Sequence, residues 1–391
     1  MNYILYDGAF RENLLPFTYT RPVAEIRIGI LTIREKWEKM LGCTVTYLTE
    51  EYLEDKFPMV EFEENVFIDA SIIPTEKLAE DVSFLERNQA IVYQCEVISF
   101  FATQEQEEVE FDSYEMIEYK SDLIRLTSLS EIFSNNYKAI ASDFDLLTNE
   151  RTSSKISSSN TIIGNVENLF VEEGVSMECV SLNVTDGPIY IGKGAVLMEG
   201  SHIRGPFSIG ESAVLKMGAK IYGGTTVGPN CTVGGEVKNV VFFGNSNKGH
   251  DGYLGNSVVG EWCNFGADTN CSNMKNNHSE IKLWSYSEKE FVNSGLQFCG
   301  LFLGDYSKLG INTMINTGTV IGVSSNIFGS GFPEKFIPSF SWSGFEKKSI
   351  YHLDKAIEDA SKMKQLKKEA FTDIDKEILT TVFEISNEYR T

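Results

Sequence analysis

The 391-residue sequence predicts an α/β unit, then a parallel β-helix, then a short helical tail. Three observations predict this order. Short apolar runs alternate with helical spacing over the first 150 or so residues, which is an α/β pattern. From Ile191 onward an aliphatic residue recurs every sixth position. After Trp342 the pattern becomes charged with helical spacing. The expected boundaries are 1–160, 161–344 and 345–391.

Composition bounds the class. Apolar residues make up 42% and charged residues 23%, which is ordinary globular usage. Glycine numbers 32 against 9 prolines, so tight turns are many and a proline-rich linker is excluded. The net charge of −22 excludes a nucleic-acid binder, which needs a surplus of Lys and Arg, and argues equally against an anionic membrane surface. The charge is uneven: residues 1–160 carry 30 acids against 14 bases, and 161–391 carry 26 against 20. Seven cysteines lie scattered with no C-x-x-C pair. The first residues lack a basic segment and a long apolar run, and no run approaches the roughly 18 residues of a membrane span. The expectation is a cytoplasmic protein with free thiols.

In the first part, Tyr3-Ile4-Leu5-Tyr6 reads as a strand ending at Asp7-Gly8. Ile26 to Leu41 has helical spacing, and Glu50 to Glu64 is polar and acidic. Ile91-Val92-Tyr93 and Val97-Ile98 read as strands, and Leu129 to Asn136 as a short helix. Ala139-Ile140-Ala141 reads as a strand leading into Asp143-Phe144-Asp145. Thr152 to Ser159 is Ser-rich and reads as a linker. Arg11, Arg21 and Arg27 surround Leu15-Pro16-Phe17-Thr18-Tyr19-Thr20-Arg21-Pro22. A strand–loop–helix junction with several guanidinium groups can hold phosphate oxygens, and equally these groups can pair with the surrounding acids. The loop lacks a run of glycines, so backbone cradling of phosphate is not expected.

The repeat is the strongest signal. Ile191, Leu197, Ile203, Ile209, Leu215, Ile221, Val227 and Val233 follow one another without a miss, and the period returns at Leu303, Leu309, Ile315, Ile321 and Ile327. Small residues stand two positions earlier, among them Ala195, Ser201, Ala213, Ala219, Ser307 and Thr313. Such a period belongs to neither a helix nor a strand; it is the mark of a hexapeptide parallel β-helix. The aliphatic points inward and stacks on its equivalent one coil away. Each such burial contributes roughly 1.5–3 kcal/mol. The phase slips after Val233, and a long interruption rich in Asn and charge follows Asn270. Loops that leave a solenoid are often functional.

The slip holds His250, in Gly244-Asn245-Ser246-Asn247-Lys248-Gly249-His250-Asp251-Gly252-Tyr253. A histidine in a polar, Gly-rich loop is a candidate general base, because its pKa lies near working pH. Glu236-Val237-Lys238, then His250, Tyr253-Leu254-Gly255, Val259-Gly260, Asn264-Phe265-Gly266-Ala267, Thr269 and Cys271-Ser272-Asn273 follow in order. These words and their spacings resemble the acetyltransferase domain of the GlmU family. That family comprises the bifunctional glucosamine-1-phosphate N-acetyltransferases and N-acetylglucosamine-1-phosphate uridyltransferases of UDP-N-acetylglucosamine and cell-wall biosynthesis. The whole chain, including Leu15 to Pro22, looks like the divergent GlmU-type sugar nucleotidyltransferases of Bacteroidetes.

The resemblance implies a nucleotidyltransferase-like α/β domain, a left-handed hexapeptide-repeat β-helix acting as acyltransferase, and C-terminal helices. It implies that His250 takes a proton from the amine of glucosamine 1-phosphate as that amine attacks acetyl-CoA. Lys238 would hold the sugar phosphate, Tyr253 and Asn264 would bond sugar and phosphate, and Asn273 would help place the amine and the base. Gly266, Ala267 and the coils around Gly310 and Gly329 would lie along the CoA arm. The family's trimer implies a homotrimer with sites between subunits. A second activity, uridylyl transfer, would bring UTP and Mg²⁺, with Arg11 and Arg21 at the nucleotide and Asp143, Asp145 or Asp7 at the metal. The sequence departs from the family at Ile311, where a small hydroxyl residue is usual, and by an insertion from Lys275 to Ser294 that would cap the site or reach a neighbouring subunit. Its first part is short and lacks the family's Gly-rich loop. Two further readings stay open: a nucleotidyltransferase for another sugar 1-phosphate with the β-helix as an oligomerising or regulatory arm, and a trimeric scaffold or sugar-nucleotide sensor. Finally, Lys355 to Glu369 and Asp373 to Tyr389 read as two helices, the second capped by Thr372, covering the open end of the solenoid.

Overall fold

A computed structural model describes residues 1–106, 109–343 and 348–390. The expected boundary at 344/345 lies outside the described residues. The chain opens with a six-stranded sheet whose strands lie in the order Thr46–Leu48, Asn2–Tyr6, Glu64–Asp69, Glu96–Thr103, Gln89–Tyr93 and Glu115–Glu118. The first three are parallel, and Glu96–Thr103 runs antiparallel to both of its neighbours. Helix α1 (Ile33–Leu41) is shorter than the Ile26–Leu41 period suggests. Thr32 starts it with a reciprocal cap: its hydroxyl accepts from the Glu35 amide while the Glu35 carboxylate accepts from the Thr32 amide. Helices α2 (Glu76–Ser83), α3 (Leu129–Ser134) and α4 (Asn136–Thr148) follow. The strand expected at Ala139–Ala141 is therefore the middle of α4. Its apolar residues Ala139, Ile140, Phe144 and Leu147 recur at helical spacing and are buried, and that longer period outweighs the short apolar run.

The hexads build the expected parallel β-helix. One wall stacks Leu169–Val171, Ile189–Ile191, Phe207–Ile209 and Thr225–Val227. A second stacks Val196–Leu197, Val214–Leu215 and Thr232–Val233, and a third stacks Ser181–Asn183, His202–Arg204 and Lys220–Tyr222. Leu182, Ile203, Ile221, Val237 and Leu254 form the inward column of the third wall, and all are buried. The phase slip has a structural cause. Glu236–Gly244 and Tyr253–Glu261 are continuous nine-residue strands that turn a corner inside themselves, at Asn239 and Asn256. Both asparagines have positive φ, which Asn tolerates better than most residues, so the corner needs fewer residues than a full turn.

The insertion forms an antiparallel hairpin, Lys282–Ser285 with Glu290–Asn293. It packs on both ends of its own chain. Trp284 stacks on Phe336 at 4.1 Å, and Tyr286 meets Tyr19 and Tyr389 edge-on at 5.8 and 5.2 Å. Ser287 donates to Asn13. The last helices, α5 (Leu353–Leu366) and α6 (Asp373–Ile385), form where expected, and Thr372 caps the second. α6 packs on the end coil, where Phe383 meets Phe340 edge-on at 5.0 Å, and Arg390 beyond it donates to the Ser339 carbonyl. The two helices run back along the solenoid's flank, with Asp359 meeting Lys308, the Lys364 ammonium over Trp262, and Lys367 reaching the Asn230 carbonyl. The end coil is also extended by Lys348–Ile350, antiparallel to Ser341–Ser343. One continuous apolar core thus joins Phe17, Trp37 and Phe133 of the first part to Phe243 and Phe302 of the solenoid and Leu379 and Val382 of α6. Among the described residues no helix is long and apolar enough to cross a membrane.

Candidate functional site

Two places bear on chemistry. The first is the carboxyl end of the N-terminal sheet. The strand order reverses around Asn2–Tyr6, whose neighbours on either side are Thr46–Leu48 and Glu64–Asp69, and open α/β sheets bind ligands at such a switch point. A cavity of about 430 Å³ lies there, lined by Asp7, Gly8, Arg11, Thr49, Glu50 and Glu51. Gly8 lies close under Asp69: a Cβ would stand 3.0 Å from that carboxylate, which would have to shift.

Asp7, Arg11, Asp69 and Arg125 are already paired at this end. Asp7 accepts from the Val23 amide, the Arg11 guanidinium and the Thr49 hydroxyl. Burial pushes its carboxyl above the usual range against those bonds. Arg11 also donates to the Thr18 carbonyl and to Tyr52. Asp69 accepts from Ser71 and from Arg125, whose guanidinium lies 4.6 Å from the Phe10 ring. Arg21 is not at this cavity. It is buried against the solenoid, paired with Asp305 and Glu261, while Thr20 donates to the same Asp305. Arg27 bonds the Phe243 and Ile30 carbonyls. Of the two readings of this loop, pairing with acids describes Arg21, and its partners come from the other half of the chain.

The expected metal ligands separate likewise. Asp143 is buried in α4, where its carboxylate holds Lys36 and accepts from the Ile30 and Leu31 amides. Asp145 is exposed on the same helix. No group of three or more His, Cys, Asp or Glu among the described residues could hold a metal ion. Of the three expected ligands, only Asp7 lies at the cavity, and Mg²⁺ held there would need oxygens from a bound phosphate beside that carboxylate.

The second place is one corner of the β-helix. His250 follows the strand Asn247–Lys248 and is exposed where the second wall turns into the third. On the third-wall side stand Lys238, exposed on its strand, and Tyr253. Asn273 joins them by donating to the Tyr253 hydroxyl at 3.0 Å. Gly255 makes room for that pair, because a Cβ there would lie 2.3 Å from the Tyr253 oxygen and 2.8 Å from the Asn273 amide nitrogen. Burial, with Glu236 adding to it, raises the Tyr253 pKa, so the phenol stays protonated. Asn264 is exposed on the second wall, paired with Asn247 and Lys308. No hydrogen bond links it to Tyr253 or Lys238. Along the corner, Gly266 stacks directly on Gly310, where a Cβ would meet the Gly310 carbonyl carbon at 2.5 Å. The Asn312 amide donates to the Ala267 carbonyl, and Ile311 is 69% exposed one coil above Ala267. Gly329, at φ +102°, follows Phe328, whose Cβ packs 3.1 Å from the position a Gly310 Cβ would take.

Three residues here lie outside the site that the sequence points to. Lys220 is exposed in register with Glu236, on the strand beside Lys238. Asn256 accepts from Asn273 at 2.8 Å. Lys248 is the third. It sits in the inward column of the second wall, above Val233, where the repeat demands an aliphatic. Its ammonium is buried and donates to the carbonyls of Gly234 at 3.1 Å and His250 at 2.8 Å. Burial pushes its pKa down to about 8, with Asp251 and Asp268 pulling the other way. The buried lysine thus ties the His250 turn to the coil below. A lysine where the hexad phase predicts a branched aliphatic was the available signal. All seven cysteines are free thiols, as expected.

Known proteins match in parts. The chain is 34% identical over 93 residues to a bifunctional sugar-1-phosphate nucleotidylyltransferase/acetyltransferase of Sulfurisphaera tokodaii, covering 24% of this chain and 23% of that one. It is 30% identical over 87 residues to the bifunctional protein GlmU of Methanocaldococcus jannaschii, covering 22% and 21%. The matches thus span less than a quarter of these relatives' length. Among solved structures, the polysialic-acid-specific acetyltransferase NeuO aligns with 54% of this chain and all of its own, at 12% identity and TM-score 0.31. A UDP-N-acetylglucosamine acyltransferase of Arabidopsis aligns with 60% and 91%, at 15% identity and TM-score 0.21. At the start of the chain, residues 3–152 match the family model for sugar nucleotidyl transferases.

Proposed function

We propose that this protein is a sugar-phosphate transferase of the divergent, Bacteroidetes-type GlmU family. On this reading it N-acetylates glucosamine 1-phosphate from acetyl-CoA at the prism corner. The observation that carries the reading is the corner itself: an exposed His250 stands between a wall bearing Asn264 and a wall bearing Lys238, Tyr253 and Asn273. Lys238 and Lys220 meet the sugar phosphate by charge. The acceptor nitrogen attacks the thioester carbonyl carbon and gives up a proton to the His250 imidazole. The new C–N bond forms as the C–S bond breaks. The sulfur leaves as a thiolate and takes up that proton, so atoms and charge balance. Gly266, Ala267, Gly310 and Gly329 keep the corner low along the CoA arm, and Ile311 lends it apolar surface. Three copies around a common axis, in a cytoplasmic setting, complete the sites between prisms. Purified protein mixed with acetyl-CoA and glucosamine 1-phosphate should release free thiol and sediment as a trimer. Absence of thiol release across a panel of amino sugars overturns the reading.

A second reading places nucleotidyl transfer at the switch-point cavity, in favour of which stands the family match over residues 3–152. Asp7 would hold Mg²⁺ there together with the nucleotide phosphates, and the ion would offset their charge. Pyrophosphate release from UTP and N-acetylglucosamine 1-phosphate that is lost in Arg11→Ala supports this reading. Its absence leaves the first part as the support on which the prism is mounted.

A further inference from the structure

Asn239, Asn256 and Asn273 occupy the same corner on three successive coils. With the Asn239 amide turned to satisfy its neighbours, its nitrogen donates to the Gly224 carbonyl at 3.2 Å and to the Phe133 carbonyl of α3 at 2.9 Å. Its oxygen then accepts from the Asn256 amide nitrogen at 3.0 Å. The Asn256 oxygen accepts from Asn273 at 2.8 Å, and the other Asn273 N–H goes to the Tyr253 hydroxyl. Backbone carbonyls only accept, so the two at the base permit one orientation of Asn239. That orientation dictates Asn256, and Asn256 dictates Asn273. Both amide hydrogens of Asn273 are thereby used inside the protein. Its Oδ1 receives no bond among the described residues and is left for a ligand. Two glycines leave room for these side chains: a Cβ on Gly224 would stand 2.6 Å from the Asn239 amide, and one on Gly255 would stand 2.8 Å from the Asn273 nitrogen.

We propose that Asn239 and Asn256 are positioning residues whose ladder fixes the sense of the Asn273 amide, so that Asn273 accepts a hydrogen bond from the amine of the acetyl acceptor. The ladder starts on a carbonyl of α3, so the N-terminal part contributes to the acceptor site without touching the acceptor. This inference rests on the acetyl-transfer reading, and it predicts which substitutions preserve the acceptor site.

Asn256→Ala removes the acceptor that holds Asn273. It should raise the KM for glucosamine 1-phosphate about tenfold, the size of one lost hydrogen bond of this kind, and leave the KM for acetyl-CoA unmoved. Asn256→Asp still accepts from Asn273 and should keep the acceptor KM within about threefold of wild type, by the same accounting. It also turns a carboxylate oxygen toward the Asn239 oxygen, so its melting temperature should fall below that of the alanine variant. Stability and acceptor binding then move in opposite directions, which a merely structural role would not produce. Equal acceptor KM values in the two variants, or parallel changes in both substrates' KM, overturn the proposal. If wild type releases no thiol, the acetyl-transfer reading has failed, and the ladder is tested by itself in asparagine-labelled protein. The Asn273 side-chain amide hydrogens should exchange slowly in wild type and Asn256→Asp and rapidly in Asn256→Ala. Equal protection in all three overturns it.

Discussion

The carboxyl end of the N-terminal sheet and the corner of the prism both gather polar and charged residues, and they treat them oppositely. At the sheet, Arg11 binds Asp7, Arg125 binds Asp69, and Arg21 is committed to Asp305 across the interface. At the corner, His250, Lys238 and Asn264 are exposed, while Lys248 is bonded beneath the His250 turn and Asn256 beneath Asn273. The difference teaches that a cluster of charged residues in a loop is evidence of pairing as readily as of binding. What separates the two is which groups are left over once internal partners are satisfied.

The largest expected effect lies at the corner. His250→Ala should lower thiol release by about 10²–10⁴, the range of general-base catalysis, with an unchanged melting temperature because the side chain is exposed. Full activity in that variant would remove the corner from the chemistry. At the other region the effect should be on stability. Arg21→Ala leaves Asp305 buried without its cation, and urea unfolding should report a loss of about 3–5 kcal/mol. A stable Arg21→Ala protein defective only with UTP would restore Arg21 to the nucleotide and blur the contrast.

A smaller effect tests how the corner is held. The Lys248 pKa is depressed to about 8 from 10.5. Between those values the unfolded chain binds a proton that the native state does not, so this residue's contribution to stability rises with pH across the window. Below pH 8 both states are protonated and the full penalty of burying the charge applies. Wild type should therefore gain on Lys248→Met between pH 8 and 10, by up to about 1.4 kcal/mol per unit, measured by denaturant unfolding. A pH-independent difference would show that the ammonium is solvated. The smallest effect is at the surface. Lys289 and Glu388 form an exposed pair beside the aromatic clasp, and Lys289→Ala should cost no more than about 1 kcal/mol.

The prism was legible because its code is local and repeated: each inward aliphatic from Ile191 to Val233 answers to the same neighbour three hexads away. The corner was legible through spacing, since His250, Tyr253 and Asn273 lie within one and a half coils. What the sequence hid was long-range. Nothing near Arg21 announces Asp305, because the ion pair joins residues 284 positions apart. Asp143 was misplaced because three apolar residues match a strand and a helix equally, and only the longer period over 136–148 decides. Lys248 was hidden by its type, since a lysine reads as surface until two carbonyls are found at its end. The insertion's hairpin gave no sign that its tryptophan and tyrosine would bury against both ends of the chain.

That clasp bears on how the molecule can be taken apart. Tyr19, Tyr286 and Tyr389 come from the first, middle and last stretches of the chain and meet in one aromatic contact. No cut between the α/β part and the prism leaves either piece with its own apolar surface covered. A gene fragment encoding the prism alone would expose Phe243 and Phe302 and should be lost to aggregation during expression, whatever activity the corner holds. The two halves therefore fold and unfold as one object, and their separate contributions are reachable by point substitution and not by dissection.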